Sequence, residues 1–146
     1  MITQARKLTT IERIIHLKSF EIFEQTTVEQ LAEVAILTQE FFFETGATLF
    51  LEGQGGDALY FLLDGRVTLE KNGITAFEIK AGEIISTLAA LDHQPHLFSA
   101  KAALPLHVLK LDAQALHKLL SRNNEIALAM LRLLCRLIRE RRFPME

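Results

Sequence analysis

A chain of 146 residues suits one domain, 1–146, with one sizeable core. Apolar residues make up 49% and charged residues 23%, as in ordinary globular proteins, and a net charge of −2 argues against a general nucleic-acid binder. Cys135 is the only cysteine, so no intrachain disulfide can form and a reducing, cytoplasmic setting is expected.

The opening "MITQARKLTT" lacks the apolar core of a signal peptide. Helices are expected over about 9–37. Thr9 or Thr10 is a candidate cap, and Ile11, Ile14, Ile15 and Leu17 follow at helix spacing. The pattern breaks around "SFEIFEQ". A second helix then begins with two candidate capping boxes, Thr26 to Glu29 and Thr27 to Gln30. Val28, Leu31, Val34 and Ala35 form its expected buried stripe.

The character changes over about 41–111. Six of the seven glycines lie between Gly46 and Gly73, and the last is Gly82. The runs "ATLFLEG", "ALYFLLDG", "RVTLEKNG" and "TAFEIKAG" each end in a glycine turn, which predicts a sandwich or barrel of short strands. "KNGI" at Lys71–Ile74 is a tight hairpin signal, because Asn and Gly accept positive φ. Phe61 and Leu63 alternate with Tyr60 and Leu62, so that strand is expected to be buried on both faces.

Helices return over about 112–142. Asp112 is a candidate cap for the first, and a longer one is expected from about Asn123 to Arg142. On the longer helix Ala127, Leu131, Leu134 and Ile138 recur at intervals of three and four, while Leu128, Met130, Leu133 and Leu137 fill much of the remaining surface. A helix this apolar needs cover on more than one side. Part is expected to face the barrel. Leu131, Leu134 and Ile138 are the candidate interface with a second copy or a neighbouring domain, and Cys135 is read as a small core or interface residue. Arg132 and Arg136 interrupt the apolar run, which excludes a membrane span. With Arg139, Arg141 and Arg142 they are expected to form the solvated side and to complement the helix dipole. No helix-turn-helix pattern follows, so no nucleic-acid contact is expected.

Gly46, the stretch "EGQGGDALYFLLDGRV" at Glu52–Val67, Gly82, Leu88, Pro95, Lys101 and Ala102 fall in one register. In these residues the chain resembles the cyclic nucleotide-binding domain family, from about Leu8 to Arg142. That family includes the sensor halves of catabolite-activator-like transcription factors and the regulatory domains of some kinases and channels. The resemblance implies a mixed, mainly β fold: a jelly-roll-like double-stranded β-helix barrel flanked by N-terminal helices and a long C-terminal helix. Gly53, Gly55 and Gly56 also have a purely structural reading, since they permit a tight reversal that Asp57 can cap.

The resemblance further implies a phosphate-binding pocket built from Leu69, Gly82, Ser86, Thr87, Leu88, Ala89, His96, Leu97, Phe98 and Ser99. In the family, a helix turn reading roughly F-G-E-L-A follows the opening glycine. Its amides and its glutamate bind phosphate and ribose, and an arginine after a later proline pairs with the phosphate. Here Ile85–Ala89 occupy that turn, so Thr87 stands on the glutamate and Ser86 on the glycine. His96 stands on the arginine, with Leu97, Phe98 and Ser99 continuing the strand. An arginine presents a permanently charged fork, whereas histidine offers at most two donors and is mostly neutral at pH 7. Losing a buried charged partner costs roughly 2–5 kcal/mol, and losing a charged hydrogen bond roughly 1.5–3 kcal/mol. Together these weaken affinity on the order of 10²- to 10⁵-fold. Phe98 replaces a small residue and is expected to narrow or fill the cavity. Hydroxyls that reach the purine in some relatives have no counterpart at Arg141 and Arg142.

The leading expectation is a non-catalytic regulatory or interaction module with a degraded nucleotide site and no cofactor. The alternative is a sensor that binds a cyclic nucleotide or another small anion through the amides around Ser86–Ala89 and the hydroxyls of Thr87 and Ser99. The third class is a metal-dependent barrel enzyme using His93 and His96, which lacks evident further ligands, since Asp92 is adjacent rather than well spaced. Catalysis is not expected, because Ser86 has no G-x-S-x-G setting and no nucleophile stands beside a base.

Overall fold

The computed structural model describes residues 7–140. Helix α1, Thr10–Lys18, starts at Thr9, whose side chain closes a capping box with Glu12. A 3-10 turn, Glu21–Phe23, occupies the expected break. Helix α2, Val28–Leu37, is capped by Thr27 with Gln30, while Thr26 is buried. Leu17, Leu31, Val34 and Ala35 enter the core as expected, but Ile11 and Ile15 are 71% and 66% exposed and Val28 also faces outward. The two helices are short and pack mainly on each other, so each buries only a narrow stripe.

Among the described residues, eight strands form two four-stranded antiparallel sheets. The strands are β1 Gln39–Phe43, β2 Thr48–Phe50, β3 Ala58–Asp64, β4 Arg66–Lys71, β5 Ile74–Lys80, β6 Ile84–Ile85, β7 Ser99–Ala102 and β8 Leu106–Asp112. One sheet has the order β1-β8-β3-β6 and the other β2-β7-β4-β5. This is the expected jelly-roll-like architecture. Asn72 and Gly73 both have positive φ and close the β4–β5 hairpin. Phe61 and Leu62 are fully buried, so β3 contributes to both sides of its sheet. Leu62, Val67, Ile85, Ala100 and Val108 fill the barrel. Phe61 packs outward on Phe20 and Phe23 with ring centroids at 5.1 and 5.5 Å, joining the barrel to the helical core.

The first strand is tied to α1 by buried Glu40. Its carboxylate accepts from the Leu8 N–H at 2.8 Å and lies 2.5 Å from His107 Nε2. Helix α3, Thr87–Asp92, lies within the barrel sequence between β6 and β7, and α4 Ala113–Arg122 and α5 Asn124–Arg139 follow β8. Asp112 stands at the cap position of α4, but its side chain makes no capping hydrogen bond. Helix α5 buries Ile126, Met130 and Leu133 against the rest of the core. Its described end falls short of the expected one, and Arg141 and Arg142 lie outside the described residues. Among the described residues, no helix is long and apolar enough to cross a membrane.

Candidate ligand pocket

Strand β6 pairs with β3 for two residues and then delivers the chain into α3. The turn before it is pinned at Gly82, φ 93°, whose N–H donates to the Leu62 carbonyl at 2.9 Å. Ser86 then adopts φ 73°, in the left-handed region that favours glycine, and stands at the start of α3. Ser86 thus holds a conformation that costs glycine nothing but strains a side chain. The Ser86 hydroxyl lies 3.2 Å from His96 Nδ1, so the strained residue is also the one that holds the histidine.

The glycine-rich turn fixes His96 from the other side. The Gly53 N–H donates to the His96 carbonyl at 2.9 Å, and the His96 N–H donates to the Gln54 carbonyl at 2.8 Å. Gly55 bridges to Pro95. Gly56 lies against α3, where an added Cβ would stand 2.2 Å from Ala89 Cβ. The stretch at Glu52–Asp57 therefore positions the pocket as well as reversing the chain.

His96 is buried and its ring is stacked on Phe50, with centroids 3.7 Å apart and planes at 12°. Burial lowers its pKa from the ordinary histidine value, against a smaller opposing pull from Asp57. The ring is therefore neutral at neutral pH. Nearby Tyr60 stays protonated, its pKa pushed up to about 12 by burial and then by Asp57 and Asp112.

A partly open cavity of about 180 Å³ lies beside these residues. Leu69, Gly82, Ser86, Thr87, Leu88, Ala89, His96, Leu97 and Phe98 all line it. Phe98 does not fill it: the ring is buried as a wall, edge-on to Phe77 with centroids 5.6 Å apart. Ser99 begins β7, and its hydroxyl accepts from the Glu52 N–H at 2.9 Å, so it serves the glycine turn instead of the cavity lining. Leu97 and Phe98 precede that strand.

Several lining residues gave no signal in the sequence. Phe50 and Phe77 read only as strand residues, and Leu133 and Leu137 only as helix surface. Arg136 read as part of a solvated side. It instead reaches across from α5 to pair with Glu21 and also with Glu140 at 3.2 Å, at the rim of the cavity. Leu131 and Ile138, by contrast, point away from the core at 58% and 51% exposed, and Leu134 is half-buried. Cys135 is exposed beside them, so it is no core residue. His93 faces His117, with ring centroids 4.7 Å apart, while His96 faces Phe50 and Ser86. The two histidines of the H-x-x-H pattern thus point to different partners.

Residues 40–123, more than half of the chain, match the family model of the cyclic nucleotide-binding domain. The chain is 26% identical over 123 residues to a CRP-like cAMP-activated global transcriptional regulator of Mycobacterium tuberculosis, a match covering 81% of this chain and 55% of the relative. It is 30% identical over 112 residues to a cAMP-dependent protein kinase regulatory subunit of Aspergillus niger, covering 75% and 26%. The chain thus spans about half, or less, of the length of these curated relatives. Among solved structures, the N-terminal domain of a transcriptional regulator from Streptomyces coelicolor A3(2) superposes with a TM-score of 0.71 at 28% identity, over 87% of this chain and 92% of that one. With the family model matching more than half of its length, the chain belongs to the cyclic nucleotide-binding domain family.

Proposed function

We propose that this chain is a non-catalytic, cytoplasmic regulatory module whose pocket no longer takes a cyclic nucleotide in the family's usual way. The observation that carries this reading is His96. The position implied for a permanent cation holds a buried imidazole that is neutral at neutral pH and already engaged by Ser86 and Phe50. A phosphate entering there loses water and gains no charge partner, which is costly. Thr87, on the position implied for the ribose-binding glutamate, is buried and shorter. The cavity of about 180 Å³ is also below the roughly 300 Å³ at which ligand pockets ordinarily begin.

Calorimetric titration with cyclic AMP and cyclic GMP tests this. The natural chain should give no binding at micromolar concentration, and the His96→Arg/Thr87→Glu double variant should bind more tightly. Micromolar binding by the natural chain would contradict the reading and favour the sensor that uses backbone amides. We further propose that the outward stripe of α5, Leu131 and Ile138 with half-buried Leu134 at its edge, pairs with a second copy. Its support is the spacing of Leu128, Leu131, Cys135 and Ile138, which repeats as three, four, three on an exposed face.

A further inference from the structure

The pocket has lost an anion's partners but kept its space, and its walls have a definite chemistry. Five ring residues line it: Phe50 and His96 as a stacked pair at 3.7 Å, Phe77 and Phe98 as an edge-to-face pair at 5.6 Å, and Phe20. Leu69, Ile79 and Leu133 are among the aliphatic residues of the lining. Rings arranged in both modes offer faces and edges to a planar guest. The volume, about 180 Å³, compares with the roughly 150 Å³ of an apolar cavity that holds benzene.

Charge selects further. Three acidic residues, Glu21, Glu83 and Asp92, are part of the cavity's lining. Among the described residues Arg136 is its one lysine or arginine, and that guanidinium is committed to Glu21 and Glu140. An anion would meet net negative surroundings. An organic cation would have to leave water for a mostly apolar slot. A neutral ring avoids both costs, and the Ser86 and Thr87 hydroxyls at the head of α3 offer it polar contact.

We propose that this cavity binds an uncharged, single-ring aromatic molecule carrying one small polar group. The inference rests on the reading that the pocket no longer takes cyclic nucleotides. Phenol is the probe, with benzoate and benzylammonium as charged counterparts of similar size. In methyl NMR of the natural protein, phenol should saturably shift Leu69, Ile79 and Leu133. It should bind at least about tenfold tighter than either charged probe. Filling the space with Leu69→Phe should abolish those shifts, and the natural-protein mapping stands alone if that variant fails to fold. Absent or scattered phenol shifts, or equal binding of benzoate or benzylammonium, would overturn the inference. Silence from phenol together with silence from cyclic AMP overturns this inference alone. Binding of cyclic AMP by the natural chain overturns the parent reading and this one with it.

Discussion

Ser86 combines a cost with a contact. Its φ of 73° disfavours any side chain, while its hydroxyl reaches His96. The two effects separate by substitution. Ser86→Ala keeps the strain and loses the hydrogen bond, so it should destabilise by about 1 kcal/mol. Ser86→Gly also loses the bond but relieves the backbone, so it should be more stable than Ser86→Ala by about 1 kcal/mol. Denaturant unfolding of both variants checks the order, and a glycine variant no more stable than the alanine variant would refute the strain argument. His96 carries a pH signature. Its native pKa lies below 6.5, so in the window beneath 6.5 the unfolded chain binds a proton that the folded ring refuses. That contribution to stability is fully present above 6.5 and is lost as pH falls through the window. His96→Gln should flatten the acid side of the stability profile, and an unchanged profile would count against a buried neutral ring.

Elements explain why these residues meet. The glycine turn and α3 approach so closely that Gly56→Ala places a methyl group 2.2 Å from Ala89 Cβ and 3.0 Å from its Cα. Backbone cannot swing aside, so the cost should be about 1–3 kcal/mol in unfolding experiments. A cost near zero would mean that α3 is free to shift. The strands and helix starts were legible in the sequence because their signals are local: a cap at Thr9 or Thr10, two candidate boxes of which Thr27 with Gln30 forms, and Asn72–Gly73. The side that each helix buries was less legible. Ile11 and Ile15 sit at helix spacing yet face outward, because the periodicity of a short helix does not say which stripe its neighbours cover. Nine of the ten candidate residues line the cavity, but much of the remaining lining, Phe50, Phe77 and Arg136 included, did not follow from the family register. They enter through the pairing of distant strands and the return of α5, which no short stretch encodes. Phe98 was legible as a large residue at the site, but its rotamer against Phe77 is a tertiary fact.

At the scale of the molecule, α5 lends Leu133, Arg136 and Leu137 to the pocket and leaves Leu131 and Ile138 exposed as an apolar stripe. The stripe predicts self-association. Leu131→Glu should lower the solution mass from dimer to monomer in light scattering, while the buried stripe of Ile126, Met130 and Leu133 keeps the fold. An unchanged mass would assign the stripe to a different partner. In the pocket, position 96 offers a phosphate no permanent cation, and the guanidinium of Arg136 is already paired with Glu21 and Glu140. The most direct test is a nitrogen NMR titration of the His96 ring in the natural protein. The account predicts a ring that is neutral at neutral pH and takes its proton only below 6.5. A ring still protonated at neutral pH would contradict this, placing at position 96 the positive charge that the family resemblance implies there.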